Sequence, residues 1–232
     1  MDPALATFFT AHPSLRVVVL GHAANAAALE LRPLGVPARF VSAAEAPELV
    51  TQYLSANQAK FGGPLALPGW VLVDLYLLPG CVTLLVDAAT PDDPIVSAWC
   101  GVPTVTPGTV MGVSLLSRRE GEGAAWAVKR LGLAVLRARV QRGLTQWDNR
   151  ALRAHARLGA LRIVGPAPAV HGAAERSFVY EIDLEVPPTL GAAQTFPLAA
   201  GRRLAARAQA GERLYVVAPG LDGAGQLVVA RA

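Results

Sequence analysis

The stretch TVMGVSLLSRREGEGAAWAVKRLGLAVLRARV, residues 109–140, decides the fold. Its first nine residues are apolar and β-prone and read as a strand over 109–117. From Gly123 the apolar residues recur at helical spacing, which predicts a helix over 123–141. Between them stands SRREGEG, with Arg118, Gly121 and Gly123 in the order R-x-x-G-x-G. Glycine lets the backbone approach a ligand and take dihedrals other residues avoid. The first N–H groups of a helix have no partner inside it and point outward. Together with the helix dipole they favour an anion such as a pyrophosphate. Arg118 is placed to cover phosphates from the side, and an ordinary strand-to-helix turn is the plainer alternative.

Upstream of this stretch, residues 70–77, 81–88 and 95–102 are three further strand-like runs, separated by Pro-Gly, TPDDP and TPG turns. With 109–117 they predict an antiparallel meander. Residues 45–61 have helical spacing, with Pro47 early and glycines at 62 and 63. Nearer the start, a helix, a strand over 15–22, a helix-like run over 24–35 and a short strand over 38–43 are expected. Downstream come a helix over 148–158, strands over 161–167 and 177–185, and a boundary at Pro187–Pro188. Beyond the prolines, 214–218 and 226–232 form a hairpin-like pair around PGLDGAG.

The chain has 232 residues, of which 53% are hydrophobic and 16% charged, enough to bury a sizeable core and too apolar for disorder over most of its length. No apolar run reaches bilayer-spanning length and the first residues lack a signal-peptide pattern, so a cytoplasmic location is expected. Cys81 and Cys100 show neither a CxxC nor a metal-ligand spacing, so no disulfide and no metal are expected. The net charge is +4, but the basic residues are dispersed, and nucleic acid is not the expected partner.

R-x-x-G-x-G between a strand and a helix resembles the acyl-CoA pyrophosphate signature of GNAT-type N-acetyltransferases, and residues 45–185 can be read in that family's order of elements. The pattern N-x-x-A-x-x-x-Y-x-x-x-G found in many members is matched loosely by Asp148, Ala151, His155 and Gly159. The resemblance implies an α/β (α+β) fold with a mixed, mostly antiparallel central sheet flanked by helices. It implies acetyl-CoA as co-substrate, held by Arg118, Arg119, Gly121, Gly123 and Ala124 around the turn and by the backbone of Val113 and Leu115. The cofactor would lie in a wedge between the strand at Met111–Ser117 and one near Gly143–Trp147. It places His155 where many members carry the tyrosine that protonates the departing thiolate, a task an imidazole can perform near neutral pH. Departures from the family are Arg119, where a glycine is usual, and Glu122 between the glycines. Asp74, Glu181 and Asp183 are the candidate bases, with a water relay as the equal alternative.

The expected organisation is an N-terminal α/β extension (1–44), a GNAT-like acyl-CoA domain (45–186) and a C-terminal accessory segment with a hairpin (187–232). The expected activity is transfer of an acetyl group to a small-molecule or peptide amine, in a monomer or homodimer. A catalytically inactive CoA-binding or interaction module is the alternative, and a structural α/β protein the third. Cys100, Trp147 and Tyr76 read as packing residues, and His171 as a loop residue.

Overall fold

A computed structural model describes residues 2–29, 31, 35–63, 66, 80–90, 92, 94–168 and 173–232. The strand expected over 70–77, Asp74, Tyr76 and His171 lie outside the described residues. The chain divides into two compact units between Ala138 and Arg139. The boundaries expected from the sequence lie after residues 44 and 186.

In the first unit, helix α1 (Pro3–Ala11) starts on Asp2, whose carboxylate accepts from Ala4 N at 2.9 Å. Strand β1 (Leu15–Gly21) is buried at six of its seven positions. Of the run expected as a helix over 24–35, residues 30 and 32–34 lie outside the described residues, and Ala23–Ala28 form a short 3-10 helix capped by the His22 ring. Strand β2 (Ala38–Ser42) pairs parallel with β1. Helix α2 (Pro47–Phe61) begins on proline and ends at Gly62, φ +59°. Strands β3 (Cys81–Asp87), β4 (Ile95–Pro103) and β5 (Thr109–Ser117) form an antiparallel meander from three of the four runs expected to do so. The strand order of this unit is β2-β1-β3-β4-β5, with β1 antiparallel to β3.

Helix α3 (Ala124–Val135) closes the unit. Strand periodicity assigns the two sheet faces. Tyr53 and Ala56 of α2 cluster with Val82, Leu84, Ala98 and Cys100, whereas Gly132 of α3 meets the intervening Thr83 and Trp99. The two helices therefore cover opposite faces. A Cβ on Gly132 would stand 2.2 Å from the Trp99 ring, so the helix sits against a fully buried indole. The helix is shorter than the 123–141 expected. It stops at Val135, and Arg137 takes φ +50°. The residues after it alternate in burial at a period of two, so they join a strand instead.

The second unit contains β6 (Val140–Gln146), α4 (Ala151–Ala156), β7 (Leu161–Pro166), β8 (Ser177–Asp183), β9 (Gln194–Phe196), α5 (Gly201–Gln209), β10 (Leu214–Leu221) and β11 (Leu227–Arg231). Strand order is β6-β8-β7-β10-β11-β9, each pair antiparallel. One core holds Trp147, Leu152, Phe178, Tyr180, Leu204, Leu214, Val216 and Leu227. The segment after Pro188 thus joins this sheet through β10 on β7 and supplies part of this core. Helix α5 and β9 are additions to the sequence reading. Trp147 stacks on Phe178, centroids 3.8 Å apart, and glycines of α5 and β6 make room for the aromatics of this unit. A Cβ on Gly201 would lie 2.4 Å from Trp147, and one on Gly143 2.6 Å from Tyr180 Oη.

The fold class is therefore the expected one: mixed α/β, with mostly antiparallel strands flanked by helices. No described helix is long and apolar enough to cross a membrane.

Candidate functional site

Strand β5 is irregular at its centre. Cys100 faces Ser114 and Gly101 faces Gly112, so Val113 is an extra residue with no opposite number on β4. Such a bulge turns a peptide group out of the ladder. Val113 is 41% exposed, in contrast to Leu116 at 1%, and Leu115 is half-buried. Both residues expected to offer backbone to a ligand therefore lie along the accessible part of the strand.

The strand leads into the glycine turn. Arg118 N donates to Val96 O at 2.9 Å, which fixes the point of departure from the sheet. The Arg119 guanidinium, expected on phosphate, is paired with Asp87 and ties the turn to the end of β3. Asp87 also accepts from Ala89 N, and these contacts, the backbone one foremost, hold its carboxyl below the ordinary value of 3.8. Lys60 of α2 meets Glu120 at 2.8 Å. Two links thus anchor the turn from the side while Gly121 and Glu122 remain exposed. Gly121 has φ +86° and Gly123 φ +82°, a left-handed conformation that L-residues avoid. Nothing lies within 4 Å of the place a Gly121 Cβ would occupy, so the outside of the turn is open.

Gly123 is the N-cap of α3, and Ala127 N donates to its carbonyl at 2.9 Å. Ala124, Trp126, Ala127, Val128, Leu131 and Leu133 are buried, so the axis of this helix is fixed by packing and its N–H groups keep a set direction. Lys129 is fully buried in the same helix, and burial holds its ammonium well below the ordinary value of 10.5. Cys81 and Cys100 are free and buried, and burial pushes the Cys81 thiol up to about 12. Neither is a thiolate nucleophile. No group of His, Cys, Asp and Glu among the described residues could hold a metal ion.

The second motif lies wholly in the second unit. His155 is 5% exposed in α4, and its ring stacks on Tyr180 at 5.2 Å. Gly159 lets the chain pass Ile182, whose Cγ2 would be 2.9 Å from an added Cβ. Asp148 pairs with Arg176 at 3.5 Å, and Asn149 Oδ1 takes the capping bond from Ala151 N at 2.8 Å. Of the candidate bases, Glu181 is gripped by Arg142 and Arg162 from the two neighbouring strands. Burial pushes its carboxyl up, but the two arginines outweigh this and its value is lowered. Asp183 accepts from Glu185 N at 3.0 Å and Val186 N at 2.8 Å and closes a turn. Both carboxylates are thus engaged structurally. Trp147, stacked on Phe178 and 4% exposed, is a packing residue.

A polar group that the sequence reading passed over lies behind the bulge. Asn57 of α2 is fully buried and donates from Nδ2 to Ser114 Oγ at 2.8 Å. Tyr53, one turn earlier, is fully buried with its hydroxyl unbonded. Tyr53 and Asn57 fall at i and i+4 on one helix face, which marks them as neighbours, but nothing in the sequence names the strand they meet.

No protein-family model and no curated protein matches the sequence. Several solved structures similar to this chain are described as acetyltransferases. The aminoglycoside 6'-acetyltransferase type Ii aligns at 13% identity over 61% of this chain and 94% of its own, with a TM-score of 0.44. A proposed acetyltransferase from Salmonella typhimurium, solved with its cofactor acetyl-CoA, aligns at 16% identity over 66% of this chain and 96% of its own, TM-score 0.44. A proposed N-acetyltransferase from Lactobacillus plantarum aligns at 13% over 74% and 99%, TM-score 0.42. All these TM-scores lie below 0.5, and at such distance no residue role, acceptor or activity carries over.

Proposed function

We propose that the protein is an acyl-CoA-dependent N-acyltransferase that uses acetyl-CoA. One observation carries the reading: a bulged, accessible strand runs into a turn with two left-handed glycines, and the turn opens a helix whose axis is fixed by a buried face. These parts match what a pyrophosphate followed by an extended thioester arm requires. The peptide N–H groups from Gly121 to Trp126 would face the phosphates, and Arg118 would flank them. The backbone of Val113 and Leu115 would accompany the arm along β5. Acetyl-CoA would supply an activated acyl group, and an amine held beside it would attack the carbonyl carbon directly. Peptide N–H groups at the bulge would meet the charge that develops on oxygen. Holding both reactants in place supplies much of the acceleration. His155 has the role of acid to the leaving thiolate only through the family resemblance.

A CoA-binding module without turnover is the second reading. Thermal denaturation with and without CoA, followed by an assay of acetyl-CoA consumption over a panel of amines, separates the readings. The enzyme reading expects a raised Tm and release of free thiol with at least one amine. A raised Tm without thiol release moves the protein to the second reading, and an unmoved Tm at saturating CoA rules out both.

A further inference from the structure

The polar group behind β5 has an unusual balance of donors and acceptors. Ser114 belongs to the bulged segment, faces α2, and is half-buried, so part of it is reachable from solvent. Its oxygen has two lone pairs and one proton. One lone pair is taken by Asn57 Nδ2 at 2.8 Å, from a side chain with no exposed surface. The Tyr53 hydroxyl lies near Ser114 and Cys100 and is otherwise surrounded by the apolar residues of the α2 face. Burial pushes its ionisation well above the ordinary value of 10.0, so it stays protonated. A buried hydroxyl left unbonded costs about 1–3 kcal/mol, and Ser114 is the nearby oxygen able to relieve it. A phenol is the stronger acid of the two hydroxyls, so it donates and the serine accepts. With Asn57 Nδ2 donating to Ser114 and the Tyr53 phenol beside it as the second inward donor, the serine lone pairs face the core and its proton is left to the accessible side of β5.

Resting on the acyl-CoA reading above, we propose that Ser114 is a hydrogen-bond donor to the carbonyl oxygen of the bound acyl thioester. Asn57 and Tyr53 are positioning residues that act through it. The arrangement adds a side-chain donor to the peptide donors of the bulge and makes the site selective for an acylated thiol over the free thiol.

The test uses the full chain and two probes, CoA and acetyl-CoA labelled with carbon-13 at the thioester carbonyl. Calorimetry gives both affinities, and isotope-edited infrared spectroscopy gives the carbonyl band of the bound ester. In the parent protein the band moves to lower wavenumber on binding. Ser114→Ala returns it towards the free position and weakens acetyl-CoA binding about three- to tenfold, while CoA affinity is unchanged. Ser114→Thr, which keeps the hydroxyl, retains the parent band. Tyr53→Phe shifts the band part of the way back. If Tyr53 were only a misplaced core hydroxyl, this variant would raise Tm and leave the band alone. An identical band in the parent and Ser114→Ala, with CoA still bound, overturns the proposal and leaves the acyl-CoA reading standing. Absence of CoA binding in the parent overturns both.

Discussion

The turn at 118–124 and the sheet of the second unit both depend on glycine, for opposite reasons. At Gly121 the space is empty and the backbone angle is what matters, φ +86°. At Gly143 and Gly201 it is the space that matters, since Tyr180 Oη and the Trp147 ring would lie 2.6 and 2.4 Å from an added Cβ. A similar contrast appears in charge. Residues 1–138 hold nine Lys and Arg against ten Asp and Glu, whereas 139–232 hold twelve arginines against seven acids, so the basic excess belongs to the second unit. There it is partly spent in pairs such as Arg142 and Arg162 on Glu181. At the turn glycine is required for its backbone angle, and in the second unit for its lack of a side chain.

The sharpest break of this contrast is Gly123→Val. A β-branched residue at φ +82° is strained by about 1–3 kcal/mol, and the turn moves to relieve it. The expected result by calorimetry is loss of measurable CoA binding in a chain whose circular dichroism is unchanged. Retained affinity would place this glycine with the crowded ones. His155→Phe asks whether the second unit contributes chemistry as well as packing. If His155 has the acid role, kcat falls on the order of a hundredfold with KM for acetyl-CoA little changed. Loss of stability at constant kcat would make it a packing partner of Tyr180 alone.

Gly201→Val should cost about 1–3 kcal/mol in urea denaturation, through overpacking against Trp147. An unchanged midpoint would show that the indole can yield. The smallest effect concerns the anchor of the turn. Asp87 titrates below its ordinary value when folded, so its contribution is full above that value and is lost as the pH falls through the lowered one. Asp87→Asn should therefore lower Tm near neutrality and flatten the acid-side decline of the parent. Parallel declines in the two proteins would remove Asp87 from the acid transition.

The strand, turn and first two-thirds of the following helix were legible because all their information is local: β-prone residues, two glycines, then helical spacing. The helix end was not, since Leu136 to Gln141 keep apolar residues at tolerable helical positions and only the pairing of β6 with β8 claims them for a strand. Helix α5 was passed over because GRRLAARAQ offers only Leu204, Ala205 and a half-buried Ala208 to the core, a weak apolar face. At the site, Gly121 and Gly123 could be read directly. Asn57 and Ser114 could not, because 57 residues separate them and only register brings them together. Glu181 was legible as a carboxylate but not as one held by arginines on both adjacent strands.

The chain contains just two lysines, Lys60 and Lys129. One has no exposed surface, and the other is 44% exposed with its ammonium on Glu120, the residue before Gly121. On the acyl-CoA reading proposed above, the protein thereby presents a single lysine amine to accidental acylation. The same economy gives the experimenter a handle. An amine-reactive dye applied to the folded chain has one lysine to modify, beside the glycine turn, and its emission would report the arrival of an anion there without any engineered residue.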